Sequence, residues 1–532
     1  MTPILTAASA AHCLRLPVVA GLSVRDLLDA TALRVRAACG GSGACGACLV
    51  RQIGGSANPF TLAEYQKLTP EQREAGVRLA CQVRPQGDLE VALDDPAPPS
   101  PWRSVAAADL VPLTGALPEL HSHIYGVAVD LGTTHIRVAL WNRKQGQRIA
   151  TRVGPNPQGV FGADLLNRLA AAHATPQRAA ELAKLARSAI VQAVRDILAR
   201  DLGEVRPMLA QIGELLVVGN SAMLALLTGE GLAALLDPDS WAEAVAYQPS
   251  DPEGWRSRWS MPHAKILLPA SLFGFVGADL LANLLATGLT QGPPGSLLLD
   301  VGTNTEIALW DGRRLWVTSV PGGPAFEAVG IRHGMPAEAG AIYRVRAGGG
   351  QGGLQLETIG EQPARGFCGS GLIDAVALLL ERGVLKRSGR FAQPPGPEGY
   401  RLDPENPRSA LTGGDVDALQ RAKAATAAAM AELLQRAGLQ WGELRRLCLC
   451  GAFGHTLTIA HAQALGLLPP IARQRIELRA DSSLTGCEMA LLSGKGLQRL
   501  AQAGERLEAI NLATCPGHEE RFIDHLLLRA IR

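Results

Sequence analysis

The chain has few aromatic residues: Phe, Trp and Tyr together make up 4% of 532. That leaves few rings for a stacking platform for single-stranded nucleic acid. Neither sign of charge is in surplus, with 51 basic against 49 acidic residues and a net charge of +2, which speaks against a general polyanion binder. No apolar run approaches the roughly 18–20 residues that span a bilayer. The first eleven residues carry neither the charged region nor the long apolar stretch of an export signal. The expectation is a cytoplasmic protein whose partners include neither membrane nor nucleic acid. A Walker A loop is also missing, since no G-x4-G-K-[ST] occurs.

Cysteine is modest in number and uneven in distribution. Of ten, Cys39, Cys45, Cys48 and Cys81 fall within 43 residues. Intracellular chains rarely keep structural disulfides, so such a cluster favours metal or redox chemistry. The spacing C-x5-C-x2-C with a distant fourth Cys is close to the plant-type loop that holds a 2Fe–2S cluster. Gly40, Gly41, Gly43 and Gly46 let the loop bend so that backbone N–H groups point at sulfur. A structural zinc site usually pairs its cysteines as C-x2-C twice, and Cys81 lacks such a neighbour. Around the loop, residues 22–33 read as a short amphipathic helix, 49–53 as a strand, and Arg78, Leu79 and Ala80 lead into the fourth Cys. Residues 1–94 resemble the 2Fe–2S ferredoxin fold, nearer the adrenodoxin spacing than the plant one. The other cysteines, such as Cys448 and Cys450 in a buried-looking strand, read as small packing residues.

Residues 95–123 form a Pro-rich linker, with Pro96, Pro98, Pro99, Pro101, Pro112 and Pro118. Such a segment forms neither helix nor central strand and stays extended and semi-rigid. A redox module on this tether can change partners, and His121 and His123 read as its solvated end.

Beyond the linker a unit repeats. An apolar strand ends in Asp130, turns through Gly132, Thr133 and Thr134, and returns to Trp141. A second strand ends in Asp300, turns through Gly302, Thr303 and Asn304, and returns to Trp310. Two copies suggest a duplicated domain with its turns facing across a cleft. Gly-Thr turns offer N–H groups and hydroxyls to phosphate oxygens. One Asp can hold Mg²⁺ through water and the other can orient an attacking water. The pair resembles the phosphate-1 and phosphate-2 loops of the acetate and sugar kinase, Hsp70 and actin superfamily.

Smaller signals follow in that superfamily's order: a strand, Gly turn and helix start around Gly219 and Asn220; a tight turn over 321–327; Cys368, Gly369, Ser370 and Gly371 opening an apolar helix; and Gly451, Ala452, Phe453 and Gly454, a turn where backbone could approach adenosine. Asp415 reads as the cap of an alanine-rich helix ending at Gly438.

Ferredoxin domain, Pro-rich linker and actin-like ATPase in one chain resemble the ATP-dependent reductive activators of corrinoid proteins. That resemblance implies an α/β and α+β multidomain protein: an N-terminal β-grasp 2Fe–2S ferredoxin domain over 1–94, the linker over 95–123, and a duplicated RNase-H-like (actin/Hsp70-like) ATPase with lobes over 124–295 and 296–532. It implies a cluster held by the four cysteines, ATP with Mg²⁺, catalytic Asp130 and Asp300, and delivery of one electron to turn inactive Co(II) into Co(I). The implied partners are a corrinoid protein of a methyltransferase system and an upstream electron donor. The linker meets the first hairpin at Tyr125, leaving no room for the separate middle domain of longer members. Three other readings share these motifs: a small-molecule kinase with a fused redox domain, an activator of dehydratase type, and a scaffold with a silent ATPase.

Overall fold

The computed structural model describes the chain apart from residues 1, 11, 30, 32, 37–42, 44–45, 98–99, 106–109, 114–122, 163–164, 203–204, 243, 303, 321–324, 327–329, 349–352 and 452–455. The first module is a five-stranded sheet of β1 (Ile4–Ala8), β2 (Cys13–Pro17), β3 (Leu49–Ala57), β4 (Val77–Leu79) and β5 (Pro85–Ala92), ordered β2-β1-β5-β3-β4. Only the β1–β5 pair is parallel. Leu5, Ala7, Val50, Leu89 and Val91 alternate inward and bury one face under the helix Val24–Asp29. That helix is shorter than the expected 22–33. Ser23 and Asp26 cap its start through reciprocal bonds of 2.9 and 3.2 Å, and the Thr31 hydroxyl donates to the Leu28 carbonyl just beyond its end.

The remainder holds two six-stranded sheets of matching order. The first comprises β6 (Arg103–Ser104), β7 (Tyr125–Leu131), β8 (His135–Asn142), β9 (Gln147–Pro155), β10 (Ile212–Val218) and β11 (Lys265–Leu267), ordered β11-β10-β7-β8-β9-β6. The second starts with β12 (Ser296–Val301), β13 (Thr305–Trp310) and β14 (Leu315–Val320). The small strands β15 (Ala341–Ala347), β16 (Leu354–Thr358), β17 (Gly366–Phe367), β18 (Tyr400–Arg401) and β19 (Ala410–Leu411) pair among themselves. β20 (Arg446–Gly451), β21 (Ile476–Arg479) and β22 (Leu507–Ala509) then complete the order β21-β20-β12-β13-β14-β22.

The duplication holds at residue level. Asp130 lies opposite Arg137 and beside Val218; Asp300 lies opposite Glu306 and beside Cys450. Each hairpin is antiparallel, and each gains a parallel neighbour from later in the chain. The helices Ala278–Thr287 and Ser482–Leu492 pack on each other, and Gly486 permits the approach: a Cβ there would sit 1.9 Å from the Ala282 carbonyl. Ser482–Leu492 also packs on β7, β8 and β10. Its buried Glu488 accepts from Trp141 Nε1 at 2.9 Å and from Arg148 through two bonds of 2.6 Å, tying the end of the chain back to the first six-stranded sheet.

The linker is docked over its described middle part. Arg103–Ser104 pair with Val153 and Arg152 as an edge strand, a place proline-rich sequence tolerates. Trp102 is buried against Gly154, where a Cβ would meet the indole ring at 2.5 Å. A desolvated ion network clamps the first module to the same place. Arg34, 1% exposed, donates to Trp102 O at 2.7 Å and to both oxygens of Asp196 at 3.0 and 3.1 Å. Arg152 reaches Asp196 at 2.6 Å and also Asp201; Arg25 reaches Asp29 at 3.2 Å and Asp201 at 3.0 Å. Arg200 donates to Val35 O at 2.9 Å and to Asp29. Buried charges persist only when paired in this way. His123 is likewise not a solvated end: it is half-buried and stacked on His263, with centroids 4.7 Å apart.

Candidate functional site: a cysteine pair and an interlobe cleft

In the first module, Cys48 and Cys81 are buried with their sulfurs 3.3 Å apart, too far for a disulfide of about 2.05 Å. The Ala80 N–H donates to Cys48 O at 2.8 Å, fixing the approach of the two segments. Behind Cys81 the Glu64–Arg78 pair (2.8 Å) is buried. Burial works against the Glu64 carboxylate, yet bonds from Arg78 and from the Thr61 and Leu79 N–H groups hold it below the usual range. The Cys48 contact draws the Cys81 thiol down to about 6 against burial, with Gln82, Arg25 and the Gly43 N–H adding to it. A thiolate is what iron takes. Gly43 and Gly46 adopt φ of +80° and +68°, the bend expected of a cluster loop. Two converging sulfurs, one already thiolate-prone, fit a cluster; Cys39 and Cys45 lie outside the described residues. By contrast, burial pushes the Cys448 thiol up to about 11 and holds Cys450 and Cys487 well above the usual thiol range, as suits packing residues.

Between the two six-stranded sheets lies a cleft of about 840 Å³. The structure brings Asp130, Gly132, Thr133, Thr134, Asp300, Gly302, Asn304, Gly369, Ser370 and Gly451 to its walls. Gly132 closes the first turn so tightly that a Cβ would lie 2.6 Å from His135 O. Gly451 has φ +79°, and a Cβ there would sit 2.5 Å from both Asp300 Oδ1 and Val301 O, so this glycine borders the second Asp itself. Ser370 donates to Tyr343 O at 2.9 Å in the first turn of the helix Gly369–Glu381, whose N-terminus faces the cleft. Gly371 is not on the wall; it packs on Ile342 O, where a Cβ would lie 2.0 Å away. Thr303, Ala452, Phe453 and Gly454 lie outside the described residues, as does most of the turn over 321–327. The helix Gly413–Ala437 is capped by Thr412, with Asp415 answering from its third position rather than serving as the cap.

The cleft floor is more acidic than the sequence suggested. Burial pushes Asp130 up to about 6, against the pull of Arg137 and with Asp481 adding to the rise. Burial and then Asp130 push Asp300 up to about 6, against a hydrogen bond from Asn283. Asp279 and Glu306 are raised as well, first by burial and then by their acidic neighbours. Mutual repulsion of this kind invites a cation. Among the described residues no three His, Cys, Asp or Glu are close enough to ligate one ion directly. Arg137 sits within this group, 3.1 Å from Asp481 and 3.5 Å from Asp130. Asn220 caps the helix Ser221–Thr228 and donates to Thr133 Oγ1 at 3.4 Å. Asp279 and Asp481 carried no sequence signal. Arg137 and Glu306 did, being the residues opposite each hairpin Asp.

A ferredoxin-type module joined to a duplicated, carboxylate-floored nucleotide fold defines an iron–sulfur protein with an actin- and Hsp70-like ATP-binding unit. Comparison with known proteins agrees. Residues 14–86 match the 2Fe-2S iron-sulfur cluster binding domain, 125–292 the RACo middle region, and 295–531 the C-terminal ASKHA domain of RACo. The chain belongs to the RACo family of reductive activators of corrinoid proteins. The middle region is therefore present, over the segment where no room for a separate domain was expected. The corrinoid activation enzyme RamQ of Eubacterium limosum is 29% identical over 76% of this chain and 70% of its own length. The [Co(II) methylated amine-specific corrinoid protein] reductase of Methanosarcina barkeri is 25% identical over 73% of this chain and 74% of its own. A solved reductive activator for a corrinoid, iron-sulfur protein superposes with a TM-score of 0.63 at 24% identity, covering 99% of this chain and 98% of that one.

Proposed function

We propose that this chain is an ATP-hydrolysing reductive activator that returns a corrinoid protein from Co(II) to Co(I) by passing it one electron. The observation that carries this is the union, in one chain of this family, of a buried cysteine pair in a ferredoxin sheet with a carboxylate-floored cleft between duplicated lobes. A kinase has no use for the first feature. When bound, a plant-type 2Fe–2S centre supplies one-electron transfer near −400 mV, and Co(I) corrinoids lie lower still. Each 100 mV uphill costs about 2.3 kcal/mol per electron. Closure of the lobes around ATP but not ADP supplies the difference by binding the partner's states unequally.

The chain's own groups divide the work. Cys39, Cys45, Cys48 and Cys81 hold the cluster. Asp130 holds Mg²⁺ through water, and Asp300, beside Gly451, positions the attacking water. Thr133, Thr134, Thr303 and Asn304 receive the phosphates, Gly369 and Ser370 offer helix N–H groups, and Ala452 to Gly454 flank adenosine. Residues 1–94, 95–123, 124–295 and 296–532 act as cluster domain, linker and two lobes. The partner belongs to a cytoplasmic methyltransferase system, and a separate donor re-reduces the chain. No helix among the described residues is long and apolar enough to cross a membrane. The test is ATP hydrolysis by the purified chain with and without a Co(II) corrinoid protein. Hydrolysis that the partner accelerates supports the reading; absence of hydrolysis in both samples overturns it.

A further inference from the structure

One cation in the cleft has no use in the roles above. Arg103 lies on the linker, in the edge strand β6, and lines the same cleft as the hairpin turns. Its direction follows from register. Arg103 pairs with Val153, Val153 with Arg137, and Arg137 with Asp130, one continuous row across four strands. Directly opposed residues point to the same face of a sheet, so Arg103 shares the cleft face with Arg137 and Asp130. At about 4.8 Å per strand, its Cα stands about 10 Å from that of Arg137, a gap an arginine and a phosphate group bridge together.

The neighbouring cations are committed elsewhere. Arg25, Arg34, Arg152 and Arg200 are all paired in the buried network. Arg103 is exposed and has no carboxylate or hydrogen-bond partner among the described residues. Its charge, after burial and Arg137, also helps hold the His135 imidazole down at about 4. The adjacent linker residues face the other way. Trp102 is buried and receives Arg34, while Ser104 pairs with Arg152, a member of the clamp on the cluster module. One short strand thus touches the nucleotide cleft through one side chain and the module's clamp through its neighbours.

We propose that Arg103 contacts the terminal phosphate of bound ATP and thereby couples nucleotide occupancy to docking of the cluster module on the first lobe. This rests on the ATP reading above. The guanidinium donates to the γ-phosphate oxygens, and no bond is made or broken. Coupling is reciprocal: whatever factor Arg103 adds to ATP affinity, bound ATP adds to the docked population. ADP lacks the group contacted and leaves the linker free to release the module toward a partner.

The test uses the full chain as wild type, R103Q and R103K, with titration calorimetry of ADP and a non-hydrolysable ATP analogue. Hydrogen exchange is followed over residues 100–105. Expected for R103Q is an analogue affinity about tenfold weaker, about 1.4 kcal/mol, an ADP affinity changed less than threefold, and no analogue-induced protection of 100–105. R103K should recover part of both, and the visible absorption of the cluster should be the same in all three. Unchanged analogue affinity or unchanged linker protection in R103Q overturns the inference, as does equal loss of ADP affinity. A wild-type chain that binds neither nucleotide overturns the ATP reading itself, and this inference with it.

Discussion

Asp196 is the centre of the clamp between the cluster module and the first lobe, and its removal should release the module. The carboxylate accepts two bonds from Arg34 (3.0 and 3.1 Å), one from Arg152 (2.6 Å) and one from Ser100 (3.2 Å). Both arginines are 1% exposed. Asp196→Ala leaves two guanidiniums in a dry interface, competing for Asp29 and Asp201. Breaking a buried pair by removing one partner costs about 3–5 kcal/mol, a factor of roughly 150 to 5,000 in the docking equilibrium. Amide exchange reads this directly. The Ala97 N–H bonds to Arg34 O at 2.7 Å, tying the linker to the module, and the Val105 N–H bonds to Thr151 O at 3.3 Å, tying the linker to the lobe, so the two amides flank the clamp on either side. Their exchange should speed up at least a hundredfold in the variant, while the helix Gly413–Ala437 stays protected. Burial raises the Asp196 carboxyl, but the Arg34 bonds and both positive charges outweigh it and hold it below the usual range. The clamp is therefore intact at neutral pH and is lost only as pH falls through that lowered value. Exchange at Ala97 and Val105 changed by less than threefold in Asp196→Ala would refute the reasoning.

Three further outcomes are expected. Asp300→Ala should abolish ATP hydrolysis while leaving the visible absorption of the cluster intact; full turnover, or loss of the absorption, contradicts the assignment. Gly451→Ala must place a Cβ 2.5 Å from Asp300 Oδ1 at φ +79°, a conformation costing an L-residue about 1–2 kcal/mol before any clash. Its hydrolysis rate should fall at least tenfold with the cluster spectrum unchanged. Because burial raises Asp130 and Asp300 to about 6, both are ionised at neutral pH and protonate as pH falls through 6. Hydrolysis should decline below that point, and a rate flat from pH 5 to 8 would show that these carboxylates are not required in their ionised form.

Much of this was legible from short-range sequence. The loop spacing foretold that Cys48 and Cys81 would meet, and the two Asp-Gly-Thr hairpins foretold their own strands, because a turn and its flanking strands are set by adjacent residues. What the sequence hid depends on residues far apart in the chain. Nothing local marks Arg34 for complete burial, since its partners are Trp102 and Asp196. Prolines excluded a central strand from the linker but gave no sign of its edge pairing with Val153. Asp279 joins Asp300 in the cleft because its helix reaches the second hairpin through Asn283, which donates to Asp300, and Asp481 meets Arg137 because the later chain folds back. Gly451, expected beside adenosine, borders the Asp300 carboxylate through parallel pairing of β20 with β12.

In the proposed function, ATP binding or hydrolysis drives an electron from this chain onto cobalt. The most direct measurement is an anaerobic visible spectrum of the cluster-loaded chain with a Co(II) corrinoid protein and excess reductant, recorded before and after ATP. Conversion to the Co(I) spectrum is expected only after ATP is added. Conversion equally complete without nucleotide, or none in its presence, would contradict it.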